Sequence, residues 1–180
     1  MKNTTNDLQE QPGSTPTMSI RWGSSWPELA GNESRQAVST YLLERFGIPP
    51  AILDEYYLFE RKKGWFILGK SEQVKNGAHL KVSKVGLRAF RKVGQFIKPT
   101  TRFIQAFGRF ATKNIFRMDM TQFKTLVLTG EIPIDLALEK GYVILTLADD
   151  RILGLGFYIH GAIRSQLPGK EIRESMLESF

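Results

Sequence analysis

KGYVILTLADDRILGLGFYI, residues 140–159, is two apolar runs around a polar turn. Tyr142 to Leu147 and Ile152 to Ile159 read as strands joined by Ala148-Asp149-Asp150-Arg151, the pattern of a β-hairpin. Adjacent acids at such a tip are turn formers, so Asp149 and Asp150 are assigned no chemistry. Gly154-Leu155-Gly156 lacks a third glycine and lies in a strand, which excludes a nucleotide-binding fingerprint. His160 follows with no acid or nucleophile near it in sequence and reads as a packed or surface histidine.

Working outward, Ile115 to Met118 reads as a strand, Thr121 to Leu128 as a short helix ending before Gly130, and Ala162 to Gln166 as a last strand before Pro168. Upstream, Asn32 precedes apolar Ala37, Val38, Tyr41, Leu42 and Phe46, with Gly47 after them, which predicts a helix capped by Asn32. Pro49 and Pro50 open a short second helix. Tyr56 to Phe59 and Trp65 to Leu68 then form two strands around the basic turn Arg61-Lys62-Lys63-Gly64. From Leu80 to Ile97, short apolar runs broken by Gly86 and Gly94 read as curved or bulged strands. Pro99 to Lys113 has helical periodicity: at about 100° per residue, Phe103, Phe107 and Phe110 share a packing face while Arg102, Arg109 and Lys113 form a neighbouring cationic stripe. Residues 1–18 are rich in Asn, Thr, Gln, Ser, Gly and Pro and predict a disordered tail. Trp22 and Trp26 are expected to pack a loop onto the body.

The charge distribution is more telling than the total of +7. From Lys81 to Arg117 there are ten basic residues and no acid: Lys81, Lys84, Arg88, Arg91, Lys92, Lys98, Arg102, Arg109, Lys113 and Arg117. At the chain's own frequency of 18 acids in 180 residues, about four were expected in that window. Counting back to Arg61, fifteen positive residues stand against a single Glu72, a local net charge of +14, while the other 123 residues sum to −7. A polyanion is the natural counterpart of such a surface, since phosphates would relieve the mutual repulsion and release counterions. Phe90 and Phe96 lie among these cations and are candidates to stack on unpaired bases.

Composition removes several function classes. With no cysteine there are no disulfides, thiolate zinc sites, iron–sulfur clusters or cysteine nucleophiles, and His79 and His160 alone make a histidine metal site a poor expectation. No catalytic, cofactor-binding or metal-binding residues are assigned. There is no run of eighteen apolar residues and no basic-then-apolar N-terminal signal, so the expected compartment is the cytoplasm, with no membrane partner.

Lys140-Gly141-Tyr142-Val143-Ile144-Leu145, with the later strand Ile152-Leu153-Gly154-Leu155-Gly156-Phe157, resembles the closing hairpin of a PUA domain, an RNA-binding module. Gly86-Leu87-Arg88-Ala89-Phe90-Arg91-Lys92-Val93-Gly94-Gln95-Phe96-Ile97-Lys98-Pro99-Thr100-Thr101-Arg102-Phe103 is similar to the stretch ahead of that domain in Sun/Fmu-type ribosomal RNA cytosine-5 methyltransferases and in small ribosome-biogenesis factors built as pre-PUA plus PUA. Leu126-Val127-Leu128-Thr129-Gly130-Glu131-Ile132 and Ile163 to Lys170 resemble two further elements of the family. Gly169 interrupts the family's Pro-Lys pair.

The resemblance implies an α+β chain, with an N-terminal α/β pre-PUA-like domain followed by a small PUA-like β-barrel. The expected divisions are a disordered or loosely packed tail over 1–30, the pre-PUA-like domain over 31–113, the PUA-like module over 114–170 and a C-terminal tail over 171–180. The methyltransferases carry a separate S-adenosylmethionine domain and catalytic cysteines, for which this chain has neither room nor residues. The expected function is therefore non-catalytic binding of RNA, ribosomal RNA first, in ribosome biogenesis, without a cofactor. Lys81, Lys84, Arg88, Arg91, Lys92, Lys98, Arg102, Arg109 and Lys113 would hold phosphates. The resemblance adds Arg164, Ser165, Gln166 and Lys170 in the second module. Alternatives are a protein-interaction adaptor whose basic face docks on an acidic partner, a modification enzyme or pre-ribosomal proteins, or an RNA-specificity subunit of a tRNA or rRNA modification enzyme.

Overall fold

The computed structural model describes residues 20–168, which form an α+β fold on two five-stranded sheets. The first sheet is antiparallel, with its strands in chain order: β1 (Glu28–Leu29), β2 (Tyr56–Arg61), β3 (Gly64–Gly69), β4 (Leu87–Val93) and β5 (Phe96–Pro99). The second contains β6 (Ile115–Met118), β7 (Glu131–Pro133), β8 (Gly141–Leu147), β9 (Ile152–Ile159) and β10 (Ala162–Ser165) in the order β6-β8-β9-β10-β7. There β6 runs parallel to β8, so the chain needs a crossover, and α4 (Met120–Thr129) supplies it. Asp119 and Gln122 close a reciprocal capping box at the start of α4. The remaining α-helices are α1 (Asn32–Phe46), α2 (Glu72–Asn76) and α3 (Thr101–Phe107), and the short helix expected after Pro49 is a 3₁₀ turn over Pro50–Leu53.

One core joins the two sheets. Val38, Leu42 and Phe46 of α1 and Phe103, Ile104 and Phe107 of α3 pack with Leu58, Trp65, Ile67 and Phe90 of the first sheet and with Ile144 and Leu155 of the second. α3 touches β4 on one sheet and β9 on the other. Its first turn fits there because residue 154 is glycine, at φ +147°: a Cβ would lie 2.7 Å from Thr101 Cγ2 and 2.7 Å from Leu167 Cδ2. The Gly-Leu-Gly step thus serves packing. Arg45 stitches the same junction from α1, its Nε donating to the Tyr142 carbonyl at 2.7 Å and its Nη2 to the Glu139 carbonyl at 3.3 Å.

Several expectations are corrected. Asn32 is the first helical residue of α1, and Gly31 takes the cap position in extended conformation without a side-chain hydrogen bond. The helix from Pro99 shortens to α3 and tightens into a 3₁₀ turn over Gly108–Phe110, which changes the phase from about 100° to about 120° per residue. Phe110 therefore swings out to 38% exposure, and the stripe of Arg102, Arg109 and Lys113 dissolves. Residues 20–30 belong to the fold: Trp22 stands 4.9 Å from Phe59 and 4.6 Å from Trp26 between ring centroids, and β1 pairs with β2. Residues 1–19 and 169–180, which include Lys170, lie outside the described residues. Among the described residues no helix is long and apolar enough to cross a membrane.

Candidate nucleic-acid interface

Strand register builds the cationic face. Arg61 of β2 faces Gly64 of β3, Gly64 faces Arg91 of β4, and Arg91 faces Lys98 of β5, so Arg61, Arg91 and Lys98 form one row across the sheet. The β3–β4 ladder shifts between Trp65 and Phe66, leaving Phe90 opposite Trp65 but Arg88 opposite Phe66. Regular alternation would send Arg88 to the core side with Phe90; the bulge sends it to the other face, beside Arg61 and Arg91. The guanidinium carbons of Arg61 and Arg88 lie 5.7 Å and 5.8 Å from the centre of the Phe66 ring, and Arg88 Nη2 donates to the Lys63 carbonyl at 3.0 Å.

An aromatic completes this surface. Phe96 pairs with Val93 and by register shares the face of Arg91 and Lys98, where it is 75% exposed. Phe90 is fully buried against Phe103, with ring centroids 4.5 Å apart, and is a core residue.

Not every predicted cation is free to meet a ligand. Lys92 lies on the opposite side of β4, 4.8 Å above Trp65, and pairs with Glu60. Arg117 pairs with Asp150, and Arg164 on β10 reaches Glu131 at 3.5 Å. Lys113 is exposed, and its backbone N–H donates to the Phe46 carbonyl at the end of α1 at 3.0 Å. Arg102 and Arg109 are exposed on α3 and on the turn after it, Arg109 lying 4.7 Å over Phe110. Lys81 and Lys84 are exposed in the loop between α2 and β4.

Lys98 links the two sheets. Its ammonium donates to Gln166 Oε1 and lies 5.5 Å over the Tyr142 ring. Burial, and secondarily the neighbouring Arg91, push its pKa below the ordinary lysine value. Gln166 and Tyr142 thus bring the second sheet to the edge of the cationic face. Neither Arg61 nor Tyr142 stood among the expected contacts; the basic turn at residues 61–64 was visible, but only the register places Arg61 beside Arg91.

A cleft of about 450 Å³ lies where α1 meets the second sheet, lined by Tyr41, Glu44, Arg45, Asn114 and residues 137–139. Burial raises the pKa of the Tyr41 phenol, and the Arg45 donors are engaged with backbone carbonyls. This site is built to hold the junction together. Among the described residues no three His, Cys, Asp or Glu side chains gather into a metal-binding group.

The fold and this face define an α+β protein with a cationic sheet. No protein-family model matches the chain, and no curated protein is similar to it in sequence. Among solved structures it is similar to a hypothetical protein of the hyperthermophilic archaeon Pyrococcus horikoshii OT3, with a TM-score of 0.50 at 11% identity, over 84% of this chain and 98% of that chain. At that identity the likeness bears on the fold alone.

Proposed function

We propose that this chain is a non-catalytic RNA-binding protein of the cytoplasm that acts on ribosomal RNA in ribosome biogenesis. The first sheet with its helices is a pre-PUA-like domain, and the second a PUA-like module. The observation that carries the reading is the row Arg61, Gly64, Arg91 and Lys98, three positive charges in register across four strands with no acid among them, Arg91 and Lys98 being directly opposite. Like charges directly opposite one another destabilise a sheet, and a phosphate backbone is the ligand that would relieve them. Phosphate contacts along this row would position the RNA, while Phe96 and the Tyr142–Gln166 edge would meet bases.

The test is affinity for a single-stranded RNA with hydroxyl ends across a salt series. Each neutralised phosphate contributes about −0.7 to the slope of log K against log salt for a single strand, so three to five contacts give about −2 to −3.5. Arg61→Glu with Arg91→Glu should abolish binding at physiological salt without unfolding the protein, since both side chains are exposed. Lys92 is left intact, because reversing it would set two acids against each other at Glu60. Retained affinity in the double variant would sink the reading. A stoichiometric acidic protein partner that survives nuclease treatment would replace it with an adaptor role.

A further inference from the structure

Beside the open row lies a small blind pocket of about 230 Å³, lined by Pro27, Arg61, Phe66, Ser83, Lys84, Val85, Gly86 and Arg88. Three of its walls are cations and none is an acid. Its construction is specific. The loop carrying Lys84 is tied down from the N-terminal segment: Gly23 N–H donates to the Ala78 carbonyl at 2.7 Å, Trp26 Nε1 to the Leu80 carbonyl at 3.0 Å, and Val82 N–H to Ser25 Oγ at 2.9 Å. Gly86, at φ +53°, lets that loop close onto β3, since a Cβ there would strike the Ile67 carbonyl oxygen at 2.1 Å. The bulge turns Arg88 towards Phe66 from the other side. Arg88 Nε is buried and has no hydrogen-bond partner, so a donor remains unspent.

We propose that this pocket binds a phosphate monoester, the terminal phosphate of an RNA strand. This deepens the RNA-binding reading and rests on it. The volume is below the ~300 Å³ at which sites for drug-sized ligands begin, so it suits one compact group. Phe66 already carries a guanidinium from each of two strands, which holds both arginines in place and leaves its ring poorly offered to a base. Planar guanidiniums recognise phosphate oxygens in bidentate fashion, and Lys84 adds a point charge. A monoester carries about −1.5 to −2 at neutral pH and ends the chain. An internal phosphodiester carries one charge and nucleotides on both sides, and belongs on the open row.

The experiment compares one RNA 12-mer carrying a 5′-phosphate, a 3′-phosphate or hydroxyls at both ends, by fluorescence anisotropy at one physiological salt concentration. Lys84→Gln and Arg88→Gln are the variants, pocket cations that lie outside the Arg61, Arg91 and Lys98 row, and thermal melts confirm folding. A phosphorylated end should bind about tenfold tighter than hydroxyl ends, the worth of one charge-assisted contact set, and the preferred end identifies the source. Both variants should lose that advantage while affinity for hydroxyl-ended RNA falls much less. Equal affinity for all ends, or an advantage that survives both variants, overturns the proposal while hydroxyl-ended binding leaves the RNA reading standing. If no RNA binds, the RNA reading fails and this proposal with it.

Discussion

Arg91 on β4 and Lys98 on β5 are directly opposite one another, two like charges in cross-strand register, with Lys98 half-buried against Tyr142. Such a pair costs the sheet about 0.2–1 kcal/mol, a cost that makes sense where an anion completes the arrangement. Arg91→Gln should therefore leave the melting temperature unchanged or raised while RNA affinity falls and the salt slope becomes shallower by about one phosphate contact. Lys92→Gln is the control: its charge is already met by Glu60, so affinity should move less than in Arg91→Gln. Parallel salt titrations of the two variants check this, and an equal loss in both would show that only total charge matters.

The same pair predicts a pH dependence. Burial first and Arg91 second lower the Lys98 pKa below its ordinary 10.5, so over the interval just under that value the folded protein binds fewer protons than the unfolded chain. Stability contributed by this group rises with pH across that interval. A bound phosphate favours the ammonium and reverses the effect, so RNA binding should take up protons there and weaken as pH rises. Calorimetry in buffers of different ionisation enthalpy reads the uptake, and Lys98→Met should abolish it.

The order of strands was legible where the pattern was long and periodic. Residues 142–159 announce their hairpin because apolar runs of six and eight residues bracket a polar turn, and Arg61-Lys62-Lys63-Gly64 marks another turn in the same way. β1, β7 and α2 have two, three and five residues, too few for any period to register, and they exist through tertiary pairing. Phe110 was misplaced because one 3₁₀ turn breaks a helical phase that sequence spacing assumes constant. The cationic window named Arg88, Arg91 and Lys98, but neither its internal pairs nor its geometry. Whether Arg88 meets Phe66 depends on a bulge between Trp65 and Phe66, and whether Lys84 joins them depends on hydrogen bonds from Gly23 and Trp26. Alternation along a strand carries neither fact.

Gly154 tests whether the two sheets form one unit. Alanine there requires a strained φ of +147° and drives a methyl against Thr101 and Leu167, at the point where α3 crosses β9. Gly154→Ala should cost about 1–3 kcal/mol. Because Phe103 and Leu155 share a core with the first sheet, denaturation followed at Trp65 and by backbone circular dichroism should shift together. A shift in one probe alone would mean that the sheets unfold separately.

Phe96 separates base stacking from charge. At 75% exposure in the β4–β5 hairpin it contributes little packing, so Phe96→Ala should leave stability within about 0.5 kcal/mol. Stacking of one base on an aromatic side chain is worth about 1–3 kcal/mol, or roughly fivefold to 150-fold in affinity. The loss should appear with single-stranded RNA and vanish with a blunt duplex of the same charge, whose bases are already stacked. The salt slope should be unchanged, since no phosphate contact is removed. Competition binding with matched single-stranded and duplex RNAs decides it: equal losses on both would make Phe96 a shape contact, and no loss on either would leave the cationic row as the whole of the interaction.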